Sequence, residues 1–165
     1  MALTEDMAKL AEQEKALVFE RFDEEVAFAI GRAIKGAAEA RKVNLAIEVR
    51  LWDRQVFFFS MPGATADNAD WIRRKSNCVR RYGHPSYALT LRQKQRGSGF
   101  VPDDNADPAD YAAHGGSFPI NVVGAGIIGA ITVSGVPGRD DHGFVVAAIA
   151  GHLGLDAAKL ALAEE

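Results

Sequence analysis

The stretch Ser117–Gly135, "SFPINVVGAGIIGAITVSG", contains two apolar, β-prone segments and predicts two strands of the fold. Inside it, "GAGIIG" has the glycine spacing of a dinucleotide-binding fingerprint. That fingerprint has to follow a strand and open a helix within a βαβ unit. Here it precedes a strand instead, so the stretch predicts sheet structure and argues against a dinucleotide site.

The first half of the chain predicts the other strands. Val43–Leu51 and Arg54–Met61 are apolar runs separated by the turn-like pair Trp52-Asp53, and they predict a β-hairpin. Three consecutive phenylalanines, Phe57–Phe59, indicate that the second strand is buried on both faces. Because the predicted helices and strands do not alternate strictly, we expect one α+β domain over residues 1–165. Its antiparallel sheet should have helices packed against it.

Capping residues predict where the helices begin and end. Asp67 is the expected N-cap of the helix that carries Trp71, and Pro85 begins a shorter helix. Asp107 followed by Pro108 predicts another short helix up to His114, after the loop-like residues 96–107. The other expected caps are Thr4, Asp23, Asp140, Asp141 and Gly154.

Composition excludes several classes of protein. The 165 residues carry a formal net charge of −3, which gives no general attraction to nucleic acid or anionic lipid. No apolar run approaches the roughly 20 residues that span a bilayer, and the acidic N-terminus is unlike a secretory signal. Since Cys78 is the only cysteine, neither an internal disulfide nor a thiolate zinc site can form. We expect a cytoplasmic protein that binds neither nucleic acid nor membrane.

Residues 71–96 are the most asymmetric part of the chain. They contain eight Lys and Arg residues and no Asp or Glu, and because the whole chain sums to −3, the remainder carries −11. Helical winding places Arg73, Arg74, Arg80 and Arg81 on one side, which predicts a solvated face or salt bridges between subunits. Lys75 falls on the apolar face instead. Either its stem crosses apolar surface to reach a carboxylate or solvent, or its ammonium points into a cleft and holds an anion.

The C-terminal half contains further candidate binding groups. His114 precedes Gly115-Gly116, where the backbone can turn sharply, and Ser134 ends a predicted strand. A hydrolase triad of Ser134, His114 and Asp141 lacks the Gly-x-Ser-x-Gly elbow that would support it.

A metal site is the alternative role for the start of the last helix. His142, Asp140 and Asp141 are suitable ligands for a divalent metal. Aspartates at a helix start are first explained as caps, however, so we expect no metal there.

Three motifs resemble one known family. "HGGSFPI", "GAGIIGAITVSG" and "DDHGFV", in that order, resemble the pattern GGxPI, GxxxGAIxVSG and D of the haem-degrading-domain family (GlcG/HbpS-like). "DNADWIRRKSN", "HPSY" and "ADYAAHGGSFP" look like its uncharacterised cytosolic branch, and the similarity covers almost the whole chain. The resemblance implies a profilin-like α+β fold, a central antiparallel sheet flanked by helices, assembled into dimers or larger rings. It also implies haem or another tetrapyrrole as a candidate ligand, and no shared catalytic motif.

Two main functions fit these features. In the first, a homo-oligomer binds haem, another tetrapyrrole or a small anion without covalent attachment. Iron would be ligated by His114 or His84, and ligand carboxylates would meet Lys75, Arg73 or Arg74. An apolar slot would come from Phe57, Phe59 and Trp71. The expected binding residues are Lys75, His114, Gly115, Gly116, Arg73, Arg74, Ser134 and His84.

The second function is an oligomeric scaffold without chemistry. In it, the basic residues pair with acids of another subunit, such as Glu24, Glu25 or Asp103-Asp104. A third alternative is an enzyme that acts on a small carboxylate or phosphate at Lys75, His114 and Ser134. The sequence assigns no reaction.

Overall fold

The computed structural model describes residues 2–97 and 105–165. Most of the predicted 96–107 loop, including Asp103 and Asp104, therefore lies outside the described residues. No helix in the described ranges is long and apolar enough to cross a membrane. The elements are α1 (Ala2–Ala16), α2 (Glu24–Ala40), β1 (Ala46–Leu51), β2 (Arg54–Ser60), α3 (Ala66–Tyr82), α4 (Ser86–Arg96), β3 (Ser117–Val122), β4 (Gly126–Ser134), α5 (Gly138–His152) and α6 (Ala157–Leu160).

The four strands form one antiparallel sheet in the order β2-β1-β4-β3. Ile47 of β1 lies opposite Phe59 of β2 on one side and Val133 of β4 on the other. β3 completes the sheet, with Phe118 opposite Ile131. The expected α+β fold, an antiparallel sheet flanked by helices, is confirmed.

The two faces of the sheet are covered by different helices. Successive residues of a strand point to opposite faces. Ile47 of β1 belongs to the main core cluster with Ile30 of α2 and Ile149 of α5. The next residue, Glu48, lines a cavity with Ser76 of α3. Thus α2 and α5 cover one face, and α3 lies over the other.

The prediction that β2 is buried on both faces is wrong. β2 is an edge strand whose one neighbour is β1. Phe57 packs beneath α2, where its ring lies 5.9 Å from that of Phe28, and Gly31 makes room for it. Phe58 and Phe59 are 41% and 37% exposed. The phenylalanine run therefore reflects a partly open sheet edge.

Three helix starts differ from those predicted, whereas two are confirmed. The N-cap of α3 is Thr65, whose N–H donates to the Asn68 side-chain oxygen at 2.9 Å, so Asp67 lies inside the first turn. Thr4 lies inside α1, and the last helix is preceded by Pro137 rather than capped by aspartates. The confirmed caps are Asp23, which accepts from the Val26 N–H, and Pro85.

The helix predicted after Asp107 is absent, because backbone groups of this segment form hydrogen bonds with α3 instead. Residues 108–110 form a turn and residues 111–114 have no regular structure. In a helix the Pro108 carbonyl would accept from the Ala112 N–H. Instead, Pro108 accepts from the Arg74 guanidinium at 2.9 Å, and Ala112 donates to the Arg74 carbonyl at 3.3 Å.

The other α3 arginines also bind groups of their own chain. Arg73 contacts the Ala109 carbonyl and Asp110, Arg81 donates to the Asn105 carbonyl, and Arg80 lies over the Trp52 ring. Arg73, Arg80 and Arg81 are exposed, which agrees with the predicted solvated face. The contacts of Arg73, Arg74 and Arg81 also hold residues 105–110 on α3.

A buried histidine connects α5 to both ends of the chain. His142 Nε2 lies 2.7 Å from the Gln13 side-chain oxygen, and the Gln13 amide nitrogen donates to the Leu160 carbonyl. Because the Gln13 oxygen can only accept, His142 carries its proton on Nε2. Burial lowers the pKa of His142 to about 3, so the ring is neutral in the folded state. In the part of the chain that the structure describes, His142, Asp140 and Asp141 do not form a group that could hold a metal ion.

We expect His142 to make the fold sensitive to acid. Unfolding exposes an imidazole with an ordinary pKa of 6.5, whereas the folded ring stays neutral down to about pH 3. The free energy of unfolding should therefore fall as the pH drops below 6.5, by up to about 1.4 kcal/mol per pH unit from this group. Urea denaturation of His142→Gln should show a flatter pH dependence than the wild type.

His152→Gln is the matched control, because His152 is an exposed residue at the end of the same helix. It should keep the wild-type pH dependence. Equal slopes for His142→Gln and the wild type would contradict the argument.

Candidate functional site

A cavity of about 340 Å³ lies where β4 ends, between α3 and the first turn of α5. Three of the predicted binding residues, Lys75, His114 and Ser134, line it together. The remaining lining residues are Asn68, Trp71, Gly135, Val136, Pro137, Gly138 and Asp141. Residues far apart in sequence thus form one polar site.

Lys75 combines both interpretations drawn from the sequence, since it reaches a carboxylate and also lines the cavity. It is 3% exposed, and its ammonium donates to Asp141 at 2.9 Å and to the Val133 carbonyl at 3.0 Å. Burial lowers its pKa, although Asp141 opposes the shift. An ammonium has three N–H donors. Two have acceptors among the described residues, which leaves one for a ligand.

Asp141 is the partner of Lys75 and not the helix cap that the sequence predicts. Its other oxygen accepts from the Val136 N–H at 3.1 Å. Burial raises the pKa of Asp141 to about 6, even though Lys75 and the N–H groups of Val136 and Gly135 stabilise the carboxylate. A lysine on an apolar helix face needs a buried acid, and that requirement was the signal that could have identified Asp141.

His114 lies at the opening of the cavity. Its exposed ring packs edge-on against Trp71, with the ring centres 5.0 Å apart. The pKa of His114 is lowered, first by partial burial and then by the positive charges of Lys75 and Arg74. The imidazole is therefore mostly neutral at neutral pH, and it experiences a positive potential.

Ser134 and Asn68 add hydroxyl and amide groups to the cavity. The Asn68 side-chain nitrogen donates to Ser134 Oγ at 3.2 Å, while its oxygen accepts from Thr65. Asn68 was missed by sequence reasoning because the wrong N-cap was chosen for α3. In the described residues no hydrogen bond joins His114 to Ser134 or Asp141, so the hydrolase triad is not assembled.

Gly115 and Gly116 allow close packing behind the cavity and do not line it. Gly116 has φ of 132°, and a Cβ there would lie 2.6 Å from the Val133 carbonyl oxygen and 2.8 Å from the Lys75 nitrogen. A Cβ on Gly115 would meet the Gly138 carbonyl oxygen at 2.2 Å. The pair therefore brings its backbone against the end of β4 and the start of α5.

Besides Gly115 and Gly116, three predicted binding residues lie outside the cavity. Arg74 borders it, with its guanidinium 4.4 Å from the Trp71 ring centre. Arg73 lines a different cavity, between α3 and the face of β1 that carries Glu48. His84 pairs with Glu14 at 2.8 Å in a groove between α1 and α4.

The apolar slot predicted from Phe57, Phe59 and Trp71 is not formed. Phe57 packs against α2, and the Lys35 ammonium of α2 lies over the Phe59 ring. Trp71 belongs to α3, on the other face of the sheet. Glu24, a suggested partner for another subunit, contacts Arg54 of its own chain.

The fold and cavity define a class: an antiparallel α+β protein with a polar site at the end of β4. A family model described as "Haem degrading protein HbpS-like" matches residues 22–150. The chain belongs to this family, and the resemblance noted from its motifs is confirmed. It is 47% identical over 165 residues to the UPF0303 protein of Mesorhizobium japonicum, covering 100% of this chain and 99% of the relative.

Two solved structures share the fold. The Ybr137w protein matches with a TM-score of 0.81 at 25% identity, over 91% of this chain and 89% of that one. A PduOC–haem complex matches with a TM-score of 0.67 at 17% identity, over 78% and 93% of the two chains. At the second identity the likeness shows the fold alone.

We expect Lys75→Met to destabilise the protein strongly, because it leaves the Asp141 carboxylate buried without its cation. Removing one partner of a buried ion pair typically costs about 3–5 kcal/mol. Replacing both partners, as Lys75→Met with Asp141→Leu, should recover at least about half of that loss, since no buried charge is left unpaired. Urea denaturation at neutral pH measures the free energy of unfolding of each protein.

Lys35→Met is the control, since Lys35 forms an exposed pair with Glu39 four residues away. It should change the free energy of unfolding by no more than about 0.5 kcal/mol. If Lys75→Met lowers the free energy of unfolding by no more than Lys35→Met does, the buried pair contributes little to stability.

Proposed function

We propose that this protein binds a small carboxylate-bearing ligand in the cavity lined by Lys75 and His114. The observation that carries the proposal is the buried Lys75 ammonium, which has one N–H without an acceptor among the described residues. A buried charged donor that is not fully bonded is costly. A ligand carboxylate at the cavity floor would accept that hydrogen bond.

The electrostatics of the cavity support an anion. Partial burial lowers the pKa of His114, and the charges of Lys75 and Arg74 lower it further, so the potential at the ring is positive. The first turn of α5 lines the same cavity and adds the positive end of a helix dipole. Ser134 and the neutral His114 offer further N–H or O–H donors to a carboxylate.

The cavity suits a small anion better than haem. Its volume of about 340 Å³ is near the lower limit of ordinary ligand pockets, about 300–1,000 Å³. Haem also needs an apolar slot for its ring, and Phe57 and Phe59 lie on the other face of the sheet. The haem complex of PduOC, a protein of the same fold, keeps haem as the alternative ligand, with His114 as the candidate for iron.

We expect small carboxylates such as lactate to raise the melting temperature of the wild type. In His114→Ala the dissociation constant, measured by calorimetry, should increase about tenfold, the equivalent of roughly 1.4 kcal/mol for one lost hydrogen bond. His84→Ala is the matched control, because His84 is an exposed histidine in another groove. Its affinity should equal that of the wild type.

Haemin titration of the same three proteins tests the alternative. We expect only the broad spectrum of free haemin. A saturable, shifted Soret band at one haem per chain, lost in His114→Ala and kept in His84→Ala, would replace the carboxylate proposal with haem binding.

We further propose that residues 1–165 act as one domain and that copies assemble through the β2 edge into a dimer or larger ring. The edge strand has backbone groups available for pairing, and its Phe58 and Phe59 side chains are partly exposed. Phe28, 52% exposed on the adjacent α2, extends the apolar surface. A second copy of the same edge would cover both the strand and these rings.

Light scattering after size exclusion should give the mass of an oligomer for the wild type and of one chain for Phe58→Lys. Val123→Lys is the control, because Val123 is 65% exposed beside β3 at the opposite sheet edge. It should leave the mass unchanged. A monomeric wild type, or an oligomeric Phe58→Lys, would remove the β2 edge as the interface.

The cytoplasm is the setting that we propose. Cys78 is a free, buried thiol that contacts the Ala112 carbonyl, and burial raises its pKa to about 12. Such a thiol is protonated and unreactive, so the cysteine serves packing. A chain whose one cysteine stays a free thiol fits the reducing cytoplasm.

A further inference from the structure

Resting on the proposed function, we infer that Lys75 is a nucleophile that forms a reversible imine with the carbonyl carbon of a small 2-oxo acid held in the cavity. The ligand class is thus narrowed to acids whose carbonyl is adjacent to the carboxylate. The argument depends on where Lys75 lies, which proton acceptor is beside it, and what else lines the cavity.

Lys75 differs from the other lysines of the chain in its surroundings. It is 3% exposed and lines a cavity, whereas the remaining six are exposed or half-buried. Those are Lys9, Lys15, Lys35, Lys42, Lys94 and Lys159. A lysine amine attacks carbonyls only when neutral, and desolvation is the usual way to make it so. Burial lowers the pKa of Lys75 in that direction.

Asp141 lies in the position of a proton acceptor for this amine. Its Oδ2 is 2.9 Å from the Lys75 nitrogen, within the reach required of a general base. Burial raises the pKa of Asp141 to about 6. Desolvation therefore lowers the free-energy cost of moving a proton from the Lys75 ammonium to Asp141, the step that produces the neutral amine.

The rest of the cavity suits the two functional groups of a 2-oxo acid. The carbonyl carbon has to reach the Lys75 nitrogen at the floor, while the carboxylate needs donors farther out. His114 at the opening and Ser134 beside the floor provide N–H and O–H groups. Asn68 fixes the Ser134 hydroxyl by donating to its oxygen at 3.2 Å, which leaves the hydroxyl proton for the ligand.

The reaction is a condensation that needs no redox partner. Asp141 takes one proton from the ammonium, and the amine attacks the carbonyl carbon to form a C–N bond. The carbonyl oxygen takes a proton from the attacking nitrogen and becomes the hydroxyl of a carbinolamine. Asp141 then returns its proton to this hydroxyl, the C–O bond breaks, and water leaves. The product is a protonated imine between Lys75 and the acid.

Reductive trapping tests the inference on the wild-type protein. The protein is incubated with pyruvate and cyanoborohydride, digested, and analysed by mass spectrometry for a reduced pyruvyl group on each lysine. We expect Lys75 to be labelled at least about tenfold more than any exposed lysine, because the cavity holds the acid against this amine and so raises its effective concentration there. The exposed lysines are internal references in the same digest.

Two variants sharpen the result. Lys75→Arg keeps the positive charge and the fold better than Lys75→Met, and it should abolish the adduct because a guanidinium does not form it. Asp141→Asn should slow labelling of Lys75 at least about tenfold, as expected for the loss of a general base. Labelling spread evenly over exposed lysines would overturn the inference.

Lactate separates this inference from the proposed function. It carries the carboxylate of pyruvate with a hydroxyl in place of the carbonyl, so it binds the same donors but forms no imine. If lactate and pyruvate both bind and Lys75 gives no adduct, the imine is wrong and carboxylate binding stands. If neither binds and no adduct forms, both are wrong.

Discussion

The buried ion pair between Lys75 and Asp141 is the constraint on which the rest of this structure depends. Lys75 belongs to α3 and Asp141 to α5. The Val133 carbonyl, which also accepts from the Lys75 ammonium, lies at the C-terminal end of β4. Two charges out of water are stabilised by hydrogen bonds to their remaining donors and acceptors. Asp141 accordingly accepts from the Val136 N–H. One interaction thus fixes α3 and α5, which cover opposite faces of the sheet, against the C-terminal end of β4.

The ion pair also explains the backbone around it. Gly116 lies so close to Lys75 and to the Val133 carbonyl that a side chain would collide with both. The glycine pair that the sequence marks as a flexible turn is therefore required for close packing. Lys75 and Asp141 both line the polar cavity, so the pair supplies part of its polar wall.

Apolar, β-prone runs and turn residues made most of the fold predictable. The strands, the hairpin at Trp52-Asp53 and the antiparallel α+β arrangement follow from local sequence. Predictions were wrong where distant contacts decide. Phe57–Phe59 reads as a buried strand but lies at a sheet edge, and the helix after Asp107 is prevented by Arg74 of α3. Neither outcome is encoded within the segment itself.

The candidate site was predictable in part. The sequence predicts Lys75, His114 and Ser134 as binding residues, and the fold brings them to one cavity. The sequence predicts Asp141 as a helix cap and gives no role to Asn68, because a sequence does not reveal which side chains face each other across the fold. Arg73 and His84 were chosen for charge and type alone, and the fold uses them elsewhere.

The hold of α3 on residues 105–110 has a consequence for the geometry of the site. The Arg74 guanidinium donates to the Pro108 carbonyl and lies over the Trp71 ring. Trp71 in turn packs against the ring of His114. Because α3 carries Lys75 at the bottom of the cavity and Trp71 beside His114 at its opening, this helix sets the distance between the two ends of the site. A change that displaces α3 would therefore move the Lys75 ammonium and the support of the His114 ring together.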